Sequence, residues 1–493
     1  MLLSGMVTLG AFLLIGLGAR PQKRSPLFMI SGFVLIAFSL YLHVLNYSSV
    51  WLATAAIGIE MGLGFFLLAG LLSKETKSAR SFYFLGAGAL SIGVVLYAIL
   101  QVTAPSAYQG SSSILVELGP DDTIEELSEL FSSYQVDVEK AFPTISLSDD
   151  ENLAQVYLVH FATTPDARLI DQLRSDTENV DHVEVNFSVT LSDPGSGLST
   201  AIDAGNVLEN DPLVSNQWAL NAIHGHEAHA LLANMSPIKK AKVAILDTGV
   251  DASHEDVSQT FLASPAINDV HGHGTHCAGL AGAFTNNGLG IASLNWEGKY
   301  IDILGYQALN EMGSGTIEMI SQAIIDATGD EVDVISMSLG AKAETPKVIS
   351  DAIQFARKRH VIVIASAGNA NEDAKDHMPS SVEGVIVVSA VDENLRKASF
   401  SNTNTSLARP ITAPGVNVLS LKTGGGYVEM SGTSMSTPVV SGLVGIMRAL
   451  DPDISEERVY EILHQTGKNV QDSKRIGRLI NASEAIQSVL DSR

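Results

Sequence analysis

The sequence predicts a doubly wound α/β domain with a mostly parallel sheet over residues 213–490, preceded by a small α+β domain and an all-α membrane domain. Three observations support this division. Long apolar stretches are confined to residues 1–104, residues 110–190 contain short strand-like and helical patterns, and residues 213–490 alternate strands with helices. The segment 191–212, which contains several Ser, Gly and Asp residues, is typical of a linker.

Residues 1–104 predict a transmembrane domain of four helices. The apolar stretches cover residues 1–19, 27–45, 51–72 and 82–103, and each approaches or exceeds the roughly 20 residues that cross a bilayer. The first and third connecting loops carry Lys and Arg, whereas the second carries no charge. Because basic loops stay in the cytoplasm, the N-terminus and everything after residue 104 are expected on the opposite side. We therefore expect a multi-pass membrane protein that contacts the lipid bilayer through four N-terminal helices.

Two alternatives remain open within this membrane domain. The first apolar stretch is also compatible with a cleaved signal peptide, although its positive residues follow the apolar run instead of preceding it. Glu60 lies inside the third stretch, where a carboxyl group serves either an ion pathway or an interhelical hydrogen bond. Neither alternative changes the side of the membrane on which the later domains are expected.

Residues 110–190 predict a ferredoxin-like α+β domain. Strand-like patterns cover 113–117, 136–145, 155–161 and 183–189, and helical patterns cover 124–131 and 167–173. Together they form a βαββαβ order, which is the signature of that fold.

The alternation of strands and helices after residue 213 predicts the parallel sheet. Strands are expected at 243–246, 301–306, 332–337 and 361–365, with helices at 317–327 and 348–358 between them. Two closing helices are expected at 455–463 and 482–489. In such a fold, reactive side chains gather at the carboxyl ends of the strands.

Three side chains in this domain form a set for nucleophilic catalysis. Asp247 ends a buried apolar strand, His273 opens a helix rich in small residues, and Ser434 lies in a Gly-containing turn before a helix. A serine hydroxyl attacks an amide only when a histidine removes its proton and a carboxylate orients that histidine. The order Asp, His, Ser along the chain distinguishes this set from those of chymotrypsin-like enzymes and α/β-hydrolases.

The residues around these three side chains resemble the three signatures of the subtilase family, with some proteinase K-like features. The matching motifs are Asp247-Thr248-Gly249, His273-Gly274-Thr275-His276 and Gly432-Thr433-Ser434-Met435. Further similar segments are 334–340, 365–370 and 413–415, so the resemblance covers about residues 213–490. It implies a serine endopeptidase that cleaves protein or peptide substrates through an acyl-enzyme intermediate.

The resemblance also assigns roles to individual residues. Asn369 and the backbone N–H of Ser434 are expected to stabilise the oxyanion. The segment Ser338, Leu339 and Gly340 resembles the strand on which the substrate lies, with Gly313 and Gly315 flanking the substrate on its other side. No cofactor is expected for catalysis. A structural Ca²⁺ ion is compatible with the family, but the stretch 285–290 is short for a calcium loop and no metal ligand is assigned.

By position and element order, residues 110–190 resemble the inhibitory prodomain that precedes many subtilases. This likeness implies an autoprocessed zymogen in which the chain's own prodomain acts as an intramolecular inhibitor. An unrelated adaptor domain is the alternative. The cut is expected within the linker 191–212, and it would separate the protease from the membrane domain. The peptidase domain is therefore expected outside the cytoplasm, either tethered or released after processing.

Parts of the sequence are also compatible with other functions. The histidines His271, His273 and His276 are spaced closely enough to suggest a metal-dependent hydrolase. An inactive subtilase-fold receptor or scaffold, or a transport module with an attached protease, is a further alternative. The single cysteine, Cys277, excludes an intrachain disulfide and is interpreted as a packing residue. A net charge of −24 argues against nucleic acid as a partner.

Overall fold

The computed structural model describes residues 112–162, 164–192, 194, 208–262 and 268–492. The four predicted membrane helices and Glu60 lie outside these residues, as does most of the predicted linker. Within the described ranges, no helix combines the length and the apolar character needed to cross a membrane. All described residues belong to one compact unit, residues 110–493.

The N-terminal part of this unit is a four-stranded antiparallel sheet with helices between its strands. The elements are β1 (Ser113–Leu118), α1 (Ser128–Tyr134), β2 (Asp137–Lys140), α2 (Glu151–Ala154), β3 (Val156–His160), α3 (Ala167–Ser175) and β4 (Val180–Val185). The strand order in the sheet is β2-β3-β1-β4, and the predicted βαββαβ elements are present. The short helix α2 between β2 and β3 was not predicted.

The predicted strand 183–189 is divided in the structure. Strand β4 ends at Val185, and a separate strand β5 (Ser188–Thr190) follows. The break occurs at Asn186, whose side-chain oxygen accepts the backbone N–H of Glu318 at 3.0 Å. The chain thereby leaves its own sheet and runs onto the second part of the unit. The prediction of one continuous strand was wrong because local periodicity does not register this long-range contact.

The second part contains twelve described strands. They are β6 (Ala241–Asp247), β7 (Ile301–Gln307), β8 (Ser314–Thr316), β9 (Val334–Met337), β10 (Ala341–Lys342), β11 (Ile362–Ser366), β12 (His377–Met378), β13 (Ile386–Val391), β14 (Pro410–Pro414), β15 (Val418–Leu421), β16 (Tyr427–Met430) and β17 (Arg478–Leu479). Seven of them form one sheet in the order β17-β14-β13-β11-β9-β6-β7, and every pair in it is parallel. The strands predicted near 243, 301, 332 and 361 are present within about two residues of their expected bounds.

Helices cover both faces of this sheet, as a doubly wound fold requires. The helices are α4 (Trp218–Ala222), α5 (Gly225–Leu232), α6 (His273–Gly282), α7 (Ile317–Gly329), α8 (Lys347–Lys358), α9 (Thr433–Leu450), α10 (Glu456–Thr466), α11 (Ser473–Ile476) and α12 (Ala482–Asp491). Val243 and Ile245 of β6 face a core that contains α5, α6 and α9, whereas Ala244 and Leu246 face a second core that contains α7 and α8. Helix α9 is buried along its whole length.

The N-terminal sheet packs on the outer surface of α7 and α8. Phe142 and Leu158 from the N-terminal part share one apolar core with Ile349 and Ala352 of α8. The carboxylate of Glu184 accepts the first backbone N–H groups of α8, those of Lys347 at 2.8 Å and Val348 at 3.0 Å. An anion at a helix N-terminus satisfies donors that lack intrahelical partners. This docking directs β5 toward the edge where the parallel strands end.

Candidate active site

Asp247 is the last residue of strand β6, which lies between β9 and β7, and it is placed at the carboxyl edge of the sheet. Its side chain is fully buried, and its Oδ1 atom accepts the backbone N–H of Thr248 at 2.7 Å. The strand is buried along most of its length, as expected for a parallel strand that has a neighbour on each side and helices on both faces. Asp247 therefore presents its carboxylate from a fixed backbone position.

His273 is the first residue of α6, and its Nδ1 atom lies 2.7 Å from Oδ1 of Asp247. The imidazole is 1% exposed. An Nδ1–H that donates to the carboxylate leaves Nε2 as the basic ring nitrogen. The neighbouring Gly274 permits this approach, because a Cβ there would lie only 2.1 Å from the carbonyl oxygen of Gly249.

A second carboxylate, Asp269, which was not among the residues predicted for the site, orients the start of α6. Its Oδ1 accepts Oγ1–H of Thr248 and N–H of Gly272, both at 2.8 Å. Its Oδ2 accepts the backbone N–H of Thr275 at 2.8 Å and its hydroxyl at 2.7 Å. Asp269 thus ties the helix that carries His273 to the residue that follows Asp247. Its position four residues before His273 was the available signal, since acidic residues often precede helix starts.

Ser434 is the second residue of α9, near the positive end of the helix dipole. It is 4% exposed and lines a cavity of about 220 Å³ at the carboxyl edge of the sheet. Its carbonyl oxygen accepts the hydroxyl of Ser338 at 2.7 Å, which joins the start of α9 to the segment after β9. The structure thus places Asp247, His273 and Ser434 on three elements that meet at the same edge.

Asn369 lies after β11 and faces the same cavity. Its Oδ1 atom accepts two hydrogen bonds from Thr433, one from the backbone N–H and one from the hydroxyl, each 2.9 Å long. These bonds fix the amide orientation, so that Nδ2 is directed away from Thr433 and donates to the carbonyl oxygen of Ser192 at 3.1 Å. The side-chain amide therefore already holds a peptide carbonyl.

The cleft contains a segment of the chain itself. Strand β5 pairs with β8 in antiparallel register, with Val189 opposite Gly315. The next residue after the strand, Leu191, donates its N–H to the carbonyl oxygen of Gly313 at 2.9 Å. The segment 188–192 therefore runs beside Gly313 and Gly315 as an added strand. The sequence predicts that a substrate lies beside these two glycines, and in the structure residues 188–192 of the chain itself lie there.

The residues expected on the other side of the substrate also line this cleft. Ser338, Leu339 and Gly340 border the cavity together with Leu191 and Ser192. A Cβ at Gly340 would lie 2.5 Å from the carbonyl oxygen of Met378, so the glycine allows β10 and β12 to approach. The expected substrate-binding residues thus flank the segment 188–192 on both sides.

Cys277 lies one helical turn after His273, and it is fully buried. The sulfur is not a thiolate at neutral pH, because burial raises the pKa of the Cys277 thiol to about 11. It contacts the carbonyl oxygen of Ser434 at 3.5 Å. This environment fits a small packing residue between α6 and α9.

The structure does not assemble the three histidines into one ligand set. His276 directs Nε2 toward the carbonyl oxygens of Val418 and Val428, both at 3.1 Å, while His273 faces Asp247. Successive turns of α6 therefore point these two rings at different partners. The metal-dependent alternative built on His271, His273 and His276 was wrong.

The carboxylates beside the loop 285–290 do not form an oxygen cage for calcium. Asp211 accepts the backbone N–H groups of Asn286 at 2.8 Å and Asn287 at 3.0 Å. Asp256 accepts the side-chain amide of Asn287 at 2.9 Å and the backbone N–H of Ile291 at 2.8 Å. Calcium requires six to eight oxygen ligands, whereas these carboxylate oxygens are occupied by N–H donors. These residues do not fit a calcium site.

Comparisons with known proteins agree on the family and the fold. Residues 239–478 match the model of the subtilase family. The chain is 35% identical to subtilisin DY of Bacillus licheniformis over 257 residues, which are 50% of this chain and 90% of that protein. It is 29% identical over 399 residues to a thermostable alkaline protease of Halalkalibacterium halodurans, covering 79% of this chain and 96% of the relative.

A solved structure supports the architecture alone. A protease of Pseudoalteromonas arctica superposes with a TM-score of 0.52 at 24% sequence identity. The superposition covers 57% of this chain and 99% of that one.

Proposed function

The chain belongs to the subtilase family of serine endopeptidases, and from this premise we propose that Asp247, His273 and Ser434 are its catalytic triad. Nε2 of His273 accepts the proton of the Ser434 hydroxyl as the oxygen attacks a substrate carbonyl. Asp247 holds the ring through Nδ1 and stabilises the imidazolium that forms. The 2.7 Å contact between Asp247 and His273, at the edge where Ser434 lies, carries this proposal.

Asn369 supplies a donor for the oxyanion. In the tetrahedral intermediate the carbonyl oxygen becomes negative, and a donor that is already oriented stabilises this charge without reorganisation. The two bonds from Thr433 provide that orientation. The backbone N–H of Ser434, at the start of α9, is the second donor. As the intermediate collapses to the acyl-enzyme, His273 gives the proton to the leaving amine; water then attacks the acyl-enzyme, and His273 takes a proton from this water and returns it to Ser434, so catalysis requires no cofactor.

The enzyme acts on protein or peptide substrates, and we propose that they bind as an added strand. The contacts of segment 188–192 indicate the chemistry available to such a strand: backbone pairing with β8 on one side and the segment Ser338, Leu339 and Gly340 on the other. Main-chain hydrogen bonds tolerate many sequences, and side-chain pockets add preference.

The bond between Ser192 and Asp193 is the proposed site of autoprocessing. The carbonyl oxygen of Ser192 accepts the amide of Asn369, the contact expected for the residue immediately before the cut bond. Leu191 and β5 extend in the substrate direction from it. The segment 188–192 then remains in the cleft as a product and blocks other substrates.

The N-terminal sheet is proposed to act as the inhibitory prodomain. Its apolar face packs on α8, and its Glu184 binds the N-terminus of that helix. A further ion pair joins Glu117 to Lys347 at 2.8 Å. The alignment with the Halalkalibacterium halodurans protease covers 79% of this chain, more than residues 213–490 contain, which supports a shared N-terminal region.

Membrane anchoring is proposed from the sequence pattern of residues 1–104. The four apolar stretches and the basic loops between them support a peptidase domain outside the cytoplasm. A cut after Ser192 separates this anchor from the peptidase domain. The protease is tethered until the prodomain dissociates and is released afterwards.

The decisive experiment compares the full-length wild type with Ser434→Ala, following self-cleavage and casein hydrolysis. Ser434→Ala should lose on the order of 10⁴-fold or more in activity and remain uncut. N-terminal sequencing of the wild-type fragment should begin at Asp193. Ser436→Ala is the matched control, because this serine lies on the same helix and bonds the carbonyl oxygens of Ala413 and Pro414. Self-cleavage by purified Ser434→Ala protein would refute the mechanism.

A further inference from the structure

A cluster of one carboxylate and two imidazoles lies apart from the catalytic residues. Glu209 belongs to the segment 208–211 that precedes α4, and His226 and His229 belong to α5. The ligand atoms of these three side chains all lie within 4.8 Å of one another. The side chains of Glu209 and His229 are fully buried, and that of His226 is 16% exposed. None of these residues participates in the proposed peptidase chemistry.

The helix places the two imidazoles on one side. His226 and His229 are three positions apart on α5, so they are neighbours on its surface. Nε2 of His229 donates to the carbonyl oxygen of Ser293 at 2.6 Å, and Trp296 packs against the ring with a centroid distance of 5.4 Å. A histidine that donates one N–H to a backbone carbonyl presents the lone pair of its other nitrogen. Metal-ligating histidines commonly have this arrangement.

Both imidazoles direct Nδ1 toward the same oxygen of Glu209. Nδ1 of His226 lies 2.8 Å from Oε1, and Nδ1 of His229 contacts the same atom. The other oxygen, Oε2, is buried and has no hydrogen-bond partner among the described residues, and the same holds for Nε2 of His226. A buried polar atom without a partner costs about 1–3 kcal/mol, and more when the group is charged. A cation bound at the cluster would give Oε2 of Glu209 a partner.

The surroundings of Glu209 are consistent with a bound cation. Among the described residues, the basic side chains in contact with Glu209 are the two imidazoles. A metal ion held between the three side chains would give the buried carboxylate a cationic partner.

We propose that Glu209, His226 and His229 bind a divalent transition metal ion, with zinc as the best fit. Two imidazole nitrogens and one carboxylate oxygen suit zinc, whose bonds to such ligands are about 2.0–2.2 Å long, and water completes a tetrahedron. Oε2 of Glu209 is the oxygen available for the metal once the side chain turns from its present contacts. The role is structural, because the ion joins the segment 208–211 to α5.

The site stabilises the beginning of the peptidase domain. Residues 208–211 follow the proposed autoprocessing bond, so after cleavage they lie near the new N-terminus of the chain. An ion held by Glu209 and α5 fixes this segment against the domain and limits fraying there. The inference does not depend on which residues perform catalysis.

The test uses the full-length chain carrying Ser434→Ala, which keeps it in one piece, purified without added metal and then titrated with Zn²⁺. Zinc per chain is measured by mass spectrometry after dialysis, and affinity is measured by competition with a chromophoric chelator. Glu209→Gln and His226→Gln each remove one ligand. The matched control is His224→Gln, which alters a histidine on the same helix start whose contacts are Glu227 and Lys468.

We expect about one zinc ion per chain and a rise in Tm on the order of 3–5 °C with zinc. Loss of a ligand should weaken affinity by more than the roughly 10- to 100-fold typical of an outer-shell change, and His224→Gln should bind normally. Co²⁺ bound in place of zinc should show no thiolate charge-transfer band, which separates this site from the Asp247, His273 and Cys277 group. Equal zinc affinity in wild type and Glu209→Gln, or no bound zinc in the wild type, would overturn the proposal.

Discussion

Asp269→Asn tests whether the carboxylate behind His273 is needed for stability and catalysis. Each oxygen of Asp269 accepts one backbone N–H and one hydroxyl, so either orientation of the amide leaves a backbone N–H facing an NH₂ group. That unsatisfied donor costs about 1–3 kcal/mol. The two bonds that remain lose their charge assistance, about 1 kcal/mol each. The free energy of unfolding should therefore fall by about 3–5 kcal/mol.

The same substitution should lower kcat, because α6 and its first residue, His273, are no longer fixed against Thr248. A shift of about 1 Å in a catalytic group can cost on the order of 100-fold. Unfolding is measured by tryptophan fluorescence in denaturant on Ser434→Ala protein, and kcat on a chromogenic peptide with Ser434 intact. Asp392→Asn is the control, since Asp392 also accepts two backbone N–H groups but in a surface turn. A stability loss below about 1 kcal/mol with unchanged kcat would refute the reasoning.

Three further predictions concern single side chains. Burial raises the pKa of Asp256 from 3.8 to about 6, so its ionisation is harder in the folded protein, and stability should fall by about 3 kcal/mol as pH rises from about 4 through 6. Asp256→Asn should abolish this pH-dependent loss in unfolding curves, and an unchanged slope would contradict the assignment. Cys277→Ala should keep most of the casein activity, because the buried thiol is not a nucleophile, and an inactive but folded variant would contradict this. Glu184→Gln should weaken prodomain binding by about 1–2 kcal/mol, or roughly 5- to 30-fold, since a charge at the start of α8 is lost. Casein hydrolysis should then begin sooner after processing than in the wild type, and an unchanged delay would count against the prediction.

Much of the architecture could be predicted because each buried strand carries its own signal. The strands near 301 and 361 are short apolar runs between helical patterns, and their burial on both sides of a parallel sheet explains that composition. The prediction of one strand over 183–189 was wrong because the break in this strand depends on a distant residue and not on the local sequence. Its break at Asn186 depends on a hydrogen bond to Glu318, which lies 132 residues later and leaves no local periodicity.

The residues of the candidate site fall into the same two groups, those with a local sequence signal and those whose role depends on long-range contacts. Asp247, His273 and Ser434 each lie in a short motif of small residues, and their order along the chain sufficed to suggest their chemistry. Asp269 precedes a helix start and Thr433 lies within one of these motifs, but neither signal shows which side chain the residue orients. Their contacts, from Asp269 to the start of α6 and from Thr433 to Asn369, depend on distances between separate elements.

The sequence by itself determined the doubly wound domain, the family resemblance and the three residues expected to react, because these follow from local periodicity and from motifs whose spacing is visible along the chain. Only the tertiary structure decided that the carbonyl of Ser192 meets Asn369, 177 residues away, and that Glu209 lies between His226 and His229. The physical reason is that hydrogen bonds and ligand sets require atoms within about 3 Å, and the chain brings such atoms together only after the sheet and helices have packed.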